Sequence, residues 1–170
     1  MEFKEVIKER YSCKSFADRP IEAEKLQAIL EAGRLAPTAK NLQEQHIYVV
    51  QSEDGLAKID AITPCRYHAP TVLVVAYDKN NVFVYPGEKR NSGAEDATIV
   101  ASHMILAAKD EGIDSCWVNF LDPDKAAEIL GLPENEEILM FMDLGYAADN
   151  AAPLPTHSTR KPLTDTVTYL

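Results

Sequence analysis

Residues 71–77, TVLVVAY, place the strongest constraint on how this chain can fold. The run carries no charge, and its β-branched side chains favour extended backbone. An apolar run without polar alternation is typical of a strand that is buried on both faces. We therefore predict a central strand in a sheet that is covered on both sides.

Residues 94–111 carry the longest helical pattern of the chain. Apolar residues recur there at helical spacing, namely Ala97, Ala101, Met104, Ile105 and Ala108. A helix this rich in small residues is predicted to pack on several sides, at the centre of the fold or of a dimer. Similar reasoning predicts further helices over 2–9, 21–35, 54–62 and 122–130, and further strands over 46–51, 114–120 and 137–146. The order of these elements indicates a mixed α and β fold.

The end of the chain follows no apolar period. Residues 147–162 contain three prolines and cannot fold alone, yet the strand-like segment TDTVTYL follows them. Two interpretations stay open: the segment crosses a neighbouring subunit and adds an edge strand there, or it is a frayed terminus. We predict one domain over residues 1–170, with 146–170 as a tail that extends over a partner subunit.

Composition limits the classes of partner. The chain has 170 residues and a formal net charge of -10, which argues against nucleic acid and anionic membrane, because both require a positive face. Its apolar runs are too short to span a bilayer, and no signal peptide is visible. The cysteines are three, without CxxC spacing. Free thiols in a reducing cytoplasm are the expectation.

Several common site types are absent from the sequence. Its glycines form neither a GxGxxG nor a Walker motif, and there is no G-x-S-x-G elbow. The histidines lie far apart without cysteine partners at metal spacing, so we expect no metal site.

Cations are concentrated in two places despite the acidic composition. Arg10, Ser12 and Lys14 alternate near the start, and Arg160 and Lys161 lie near the end. In extended backbone, alternate side chains point the same way, so the first three residues would share one face. A guanidinium, a hydroxyl and an ammonium on one face suit a phosphate group. Alternatively, these are surface cations that neutralise acidic neighbours.

Two further stretches carry polar groups beside predicted strands. In LAPTAKNLQ, Asn41 and Gln43 offer amides that both donate and accept hydrogen bonds, which suits a planar heterocycle or a polyol chain. The alternative is a turn whose polar residues cap the helix end. In DSCWVNF, backbone N–H groups at the strand end would be free donors, whereas Trp117 taken alone indicates core packing.

Taken together, these stretches resemble the nitroreductase family of flavoproteins. RYSCKSF resembles the family's R-x-S-x-R/K-x-F opening, APTAKNLQ its A-P-S-x-x-N-x-Q segment, and DATIVASHMILAAKDEGIDSCWV the long helix before its G-x-x-S-C-W strand. LGLPENEEILMFMDLGY and STRKPL resemble its L-G-L-P, G-Y and R-x-P-L sequences. The resemblance implies an α+β fold with a mostly antiparallel central sheet, and a homodimer that exchanges C-terminal segments and binds FMN at its interface.

The resemblance also implies roles for residues near the two ends. Arg10 and Arg160 would bind the FMN phosphate, with Ser12 beside them. Lys14 would reach toward the N1/O2 side of the flavin, where negative charge gathers on reduction. Tyr11 would offer its backbone.

Other implied contacts lie in the middle of the chain. The backbone around Val118 and Asn119 would supply a donor to flavin N5. The opposite subunit would contribute Pro37, Thr38 and Asn41, with Gln43 nearby. No side chain needs to act as acid or base, because the flavin carries the chemistry.

This chain departs from the family pattern at three points. Glu44-Gln45 stands where the family has Pro-Trp, and Asn119 stands where a glycine is common. An insertion that covers the flavin in larger members is reduced to FLDPD.

The leading hypothesis is an FMN-dependent oxidoreductase that takes hydride from NADH or NADPH and reduces nitroaromatic, quinone-like or related acceptors in a ping-pong cycle. A relative specialised for dehalogenation or flavin cleavage would need lid residues that this chain lacks. A non-enzymatic FMN-binding redox sensor or flavin carrier is the alternative. A further one is that the basic loop takes another phosphate and no flavin binds.

Overall fold

A computed structural model describes residues 2–170. Helices and strands alternate along them in the order α1 (Phe3–Glu9), α2 (Ala23–Arg34), β1 (Gln45–Val50), α3 (Glu53–Ile62), β2 (Thr71–Asp78), α4 (Gly93–Asp110), β3 (Asp114–Val118), α5 (Pro123–Leu130) and β4 (Glu136–Gly145). Short 3-10 turns lie at Ala39–Asn41, Pro64–Arg66, Pro155–Ser158 and Leu163–Asp165.

The four strands form one sheet in the order β1-β2-β4-β3. Every neighbouring pair is antiparallel. This confirms the predicted α+β fold with a mostly antiparallel sheet. β1 and β3 are therefore the two edges of the sheet, about 14 Å apart at about 4.8 Å per strand spacing.

β2 is buried on both faces, as its composition predicts. Leu73 and Val75 pack into the apolar cluster that contains Ile29 of α2 and Met104 of α4. Val72 and Val74 belong to the cluster on the other face, with Ile59 of α3 and Ala126 of α5. The sheet thus lies between two helical layers.

α4 packs closely because its residues are small. Ala97, Ala101 and Ala108 are fully buried. α2 approaches this helix at Gly33, where a Cβ would lie 2.8 Å from Met104 Cγ. The prediction of a helix that packs on several sides is confirmed.

The ends of the predicted helices and strands differ from the observed ones by at most two residues. Residues 164–170 form no strand with the described residues of this chain: the segment holds the end of the Leu163–Asp165 turn and is otherwise irregular. A strand needs a neighbour that pairs its backbone groups, so the edge strand on a partner subunit stays a prediction.

Candidate functional site

The 10–16 loop runs along β3 as an added extended segment. Ser12 forms a parallel bridge with Ser115, and the Cys13 N–H donates to the Ser115 carbonyl at 2.9 Å. Side chains of extended backbone alternate, so Cys13 is buried while Ser12 and Lys14 are exposed on one side. The structure thus shows the predicted extended backbone, which puts these two side chains on one face.

A pocket of about 410 Å³ opens where β3 ends. We call it the β3-edge pocket. Four of the predicted site residues line it, from two separate stretches: Ser12, Lys14, Val118 and Asn119. It is completed by Cys65, Tyr67, Cys116, Trp117, Phe120 and Leu154. Tyr11 and Ser12 line a small adjoining hollow with Leu154, Thr156 and His157.

At the strand end, the Asn119 side chain is engaged by the protein itself. The Trp117 indole Nε1–H donates to Asn119 Oδ1 at 2.8 Å. Trp117 also packs against the α2–α4 cluster, so it serves both as core and as pocket wall. The Asn119 side chain, which stands in place of the family's glycine, therefore has a structural role. Any contact between this residue and a ligand would be made by its backbone.

Tyr67 is a pocket residue that sequence reasoning missed. The Lys14 ammonium lies 5.7 Å from the centroid of its ring, within reach of a cation–π interaction. Tyr67 and His68 both have left-handed backbone, at φ 52° and 65°. The preceding turn is tied to the pocket because the Thr63 hydroxyl donates to the Phe120 carbonyl at 2.7 Å. The only sequence signal for the side of the pocket that Tyr67 forms was a turn, bounded by prolines, before the buried strand.

Asp143 lies behind the pocket, in the middle of the sheet. It is 1% exposed, and its Oδ2 has no hydrogen-bond partner among residues 2–170. Burial raises the pKa of Asp143 to about 8, while the Arg66 guanidinium acts in the opposite direction. The side chain faces Cys116, its partner in the β3–β4 register.

The two buried cysteines near the pocket have raised pKa values. Burial, with Asp143 as the second cause, raises the pKa of Cys116 to about 12. Burial also raises the pKa of Cys13, whose thiol donates to the Ser15 carbonyl at 3.2 Å. Nucleophilic cysteines need a lowered pKa, so both are packing residues.

The remaining middle-chain residues lie at the opposite edge, in residues 37–43, which we call the β1-edge loop. The Thr38 hydroxyl accepts from the Gln43 N–H at 3.0 Å, and Gln43 Nε2 donates to the Asn41 carbonyl at 3.2 Å. Lys40, Asn41 and Gln43 have left-handed backbone with φ between 53° and 56°. Within one chain, the structure does not bring Pro37, Thr38, Asn41 or Gln43 to the β3-edge pocket.

Arg10 and Arg160 lie outside the lining of the pocket. Arg10 is the half-buried residue after α1, and no ion pair of its guanidinium is found among residues 2–170. Arg160 is exposed, and it donates to the carbonyls of His157 and Thr159 in its own segment. Their roles toward a phosphate remain predictions.

Two further observations concern the described residues as a whole. No helix within 2–170 combines the length and apolarity needed to cross a bilayer. In the same residues, no group of three or more histidine, cysteine or acidic side chains is arranged to hold a metal ion.

The profile of the nitroreductase family matches residues 7–66 and 64–146 of this chain. A provisionally named NADH dehydrogenase/NAD(P)H nitroreductase of Archaeoglobus fulgidus is 31% identical over 151 residues, covering 85% of this chain and 84% of that protein. An FMN reductase (NAD(P)H) of Bacillus subtilis is 28% identical over 172 residues, covering 89% of this chain and 69% of that enzyme.

Solved structures show the same fold. A nitroreductase family protein from Clostridium difficile 630 superposes with a TM-score of 0.92 at 36% identity, covering 99% of this chain and 98% of its own. A provisionally named nitroreductase from Exiguobacterium sibiricum, solved in complex with FMN, gives a TM-score of 0.87 at 21% identity, covering 100% and 98%. At that lower identity the likeness shows the fold alone.

Proposed function

The chain belongs to the nitroreductase family, and we propose that it is an FMN-dependent oxidoreductase that uses NADH or NADPH to reduce small acceptors. Relatives named as NAD(P)H nitroreductase and FMN reductase support an oxidoreductase. We propose nitroaromatic and quinone-like compounds as acceptors, reduced in a ping-pong cycle. One observation carries the proposal: Ser12, Lys14, Val118 and Asn119, taken from two distant stretches, line one pocket.

The chemistry of this pocket fits FMN. Ser12 and Lys14 provide a hydroxyl and an ammonium on one side, and Arg10 lies two residues before them with its guanidinium unpaired in the described chain. Trp117 and Val118 provide apolar wall for a ring system. A net charge of -10 does not oppose an anionic cofactor here, because exposed charges beyond about 10 Å are largely screened.

FMN, when bound, supplies the hydride and electron transfer. The protein's part is to hold the cofactor and stabilise charge. Arg10, Ser12 and Arg160 would hold the phosphate, since a guanidinium matches phosphate geometry with two donors. Lys14, steered over the Tyr67 ring at 5.7 Å, would place its ammonium beside the ring system and stabilise negative charge there. Tyr11 would contribute its backbone, and the backbone at Val118 and Asn119 a donor to flavin N5.

We propose that the working site is formed by a homodimer. Large apolar side chains are exposed on α1, on α4 and in the tail: Phe3, Ile7, Ile99, Leu163, Val167 and Tyr169. Patches of this kind are typical of protein interfaces. In the β1-edge loop, Pro37, Asn41 and Gln43 are exposed and Thr38 is half-buried, so this loop is accessible to a cofactor held by the other subunit.

An absorbance spectrum tests the function directly. The purified protein should show the flavin bands, or gain them when FMN is added. NADH or NADPH added without oxygen should bleach these bands, and a quinone or nitroaromatic compound added next should restore them. Protein that binds FMN but stays oxidised with both nucleotides would support a redox sensor or carrier instead. Failure to bind FMN would assign the basic loop to another phosphate.

A further inference from the structure

Two carboxylic side chains are buried side by side beneath the β1-edge loop. Glu44 and Asp96 are each 4% exposed, and after burial the neighbouring Asp96 is the largest cause that raises the pKa of Glu44. Glu44 Oε2 and Asp96 Oδ2 have no hydrogen-bond partner among residues 2–170. Two carboxylates in contact cannot share a hydrogen bond, because both only accept, and their charges repel. One retained proton satisfies both oxygens.

The other oxygen of each carboxyl group fastens the loop. Asp96 Oδ1, in the first turn of α4, accepts from the Ala39 N–H at 3.0 Å. Glu44 Oε1 accepts from the Ser92 hydroxyl at 3.4 Å, and that hydroxyl accepts from the Phe83 N–H at 3.1 Å. The loop is thus tied to the start of α4 at both of its ends.

The surrounding elements provide no cation that could replace the proton. None of the ion pairs within residues 2–170 includes Glu44 or Asp96. Neighbouring charged and titratable groups are engaged elsewhere: Tyr77 with Glu137, Tyr85 and Arg90 with Glu95, Asp78 with the Asn80 N–H, His46 with Glu136, and Lys40 over the Phe83 ring.

We propose that Glu44 and Asp96 share one proton, and that this proton holds the β1-edge loop in the conformation that meets FMN. The part that concerns FMN rests on the function proposed above; the shared proton does not. Glu44 stands at the position where the resemblance described above implies a proline.

The pH dependence follows from burial. Burial, with Asp96 as the second cause, raises the pKa of Glu44 from 4.5 to about 7. The closed loop therefore keeps a proton that an open loop releases at lower pH. Its stabilisation is fully present below about pH 4.5 and is lost as the pH rises through about 7.

Thermal unfolding without FMN tests the shared proton. Glu44→Gln keeps a donor to Asp96 but cannot titrate. The wild-type Tm should fall by several degrees between pH 5 and pH 8. In the variant, the fall over the same range should be about half as large or smaller. Glu24→Gln, which alters an exposed carboxyl on α2, should retain the wild-type slope. Burial raises the pKa of Asp143 to about 8, but its effect cancels in the comparison because all variants keep it. Equal slopes for wild type and Glu44→Gln would overturn the proposal.

A direct titration makes the outcome independent of how well the variant folds. Carbon NMR of the wild-type protein labelled at glutamate carboxyl groups should show one group titrating near pH 7. Its resonance should be absent from Glu44→Gln or, where that variant does not fold, displaced in Glu44→Asp. Titration of every glutamate near the ordinary pH 4.5 would exclude the shared proton.

FMN binding tests the link to the site. Free FMN also titrates near pH 6, so the informative quantity is the ratio of wild-type to Glu44→Gln dissociation constants. This ratio should rise several-fold between pH 6 and pH 8.5. If this ratio stays constant while the Tm of Glu44→Gln depends less on pH than the wild-type Tm, the proton is shared but does not affect FMN binding. If no variant binds FMN, the proposed function fails while the Tm and NMR measurements still decide on the proton.

Discussion

At the β3 edge the 10–16 loop pairs with a strand, whereas at the β1 edge the 37–43 loop turns through three left-handed residues that are not glycine. The first arrangement exposes Ser12 and Lys14 by simple alternation along extended backbone. The second carries backbone strain on the order of 1 kcal/mol per left-handed residue and depends on buried carboxyl groups beneath it. We infer that the β3 edge is held by regular backbone pairing, whereas the β1 edge is held mainly by its contacts with the start of α4.

The largest effect is expected from Gly93→Ala, which disturbs the start of α4, where the β1-edge loop is held. A Cβ at Gly93 would lie 2.3 Å from Cε2 of Tyr77, a ring fixed by its hydroxyl donating to Glu137 at 2.6 Å. The start of α4 must then shift, and we expect the free energy of unfolding to fall by about 3 kcal/mol. Denaturant unfolding measures this change, and hydrogen exchange should increase at residues 37–44 but not at 11–15.

Gly33→Ala is the matched control. Its new methyl would lie 2.8 Å from Cγ of the flexible Met104 side chain and 3.4 Å from Val100 Cγ1, and alanine favours the helix by about 1 kcal/mol. We expect a change close to zero. If both variants lose the same stability, the start of α4 is not a special support, and the contrast between the edges is wrong.

Arg10→Ala tests the β3 edge and has the next largest expected effect. Losing a charged hydrogen-bond partner of a phosphate costs about 1.5–3 kcal/mol, which corresponds to FMN binding about 10- to 150-fold weaker. Stability should hardly change, because no ion pair of Arg10 is found in the described residues. Flavin fluorescence titration gives the affinity, with Lys58→Ala on α3 as a control of equal charge change. Unchanged affinity in Arg10→Ala would remove its phosphate role.

The same contrast explains what could be predicted from the sequence. Alternation placed Ser12 and Lys14 on one face, and the uninterrupted apolar run at 71–77 predicted a strand with two buried faces, because both patterns follow from local geometry. The resemblance to the family added Val118 and Asn119, which lie beside them.

What could not be predicted depends on contacts distant in sequence. Tyr67 enters the pocket only because Thr63, in the strained turn before β2, donates to the carbonyl of Phe120, 57 residues later. Glutamate and aspartate are mostly exposed in proteins, so no local pattern predicts that Glu44 and Asp96 are buried. Only the fold brings them together in the interior. The edge strand expected at 164–170 stays a prediction for the same reason, since pairing is a property of a partner and not of the segment.

The smallest effect is expected from Asn119→Gly, which restores the family's glycine at the β3 edge. Because the Asn119 side chain accepts from the Trp117 indole at 2.8 Å, it is not available to a cofactor. FMN affinity should therefore stay within about threefold, while the free energy of unfolding falls by about 0.5–1.5 kcal/mol from the lost hydrogen bond. Trp117 is the chain's single tryptophan, so its emission reports this site alone. Asn119→Asp keeps an acceptor for the indole and should preserve that emission. A tenfold loss of FMN affinity in Asn119→Gly would mean that the amide itself binds the cofactor, and the β3 edge would then depend on a side chain beyond its regular pairing, as the β1 edge does.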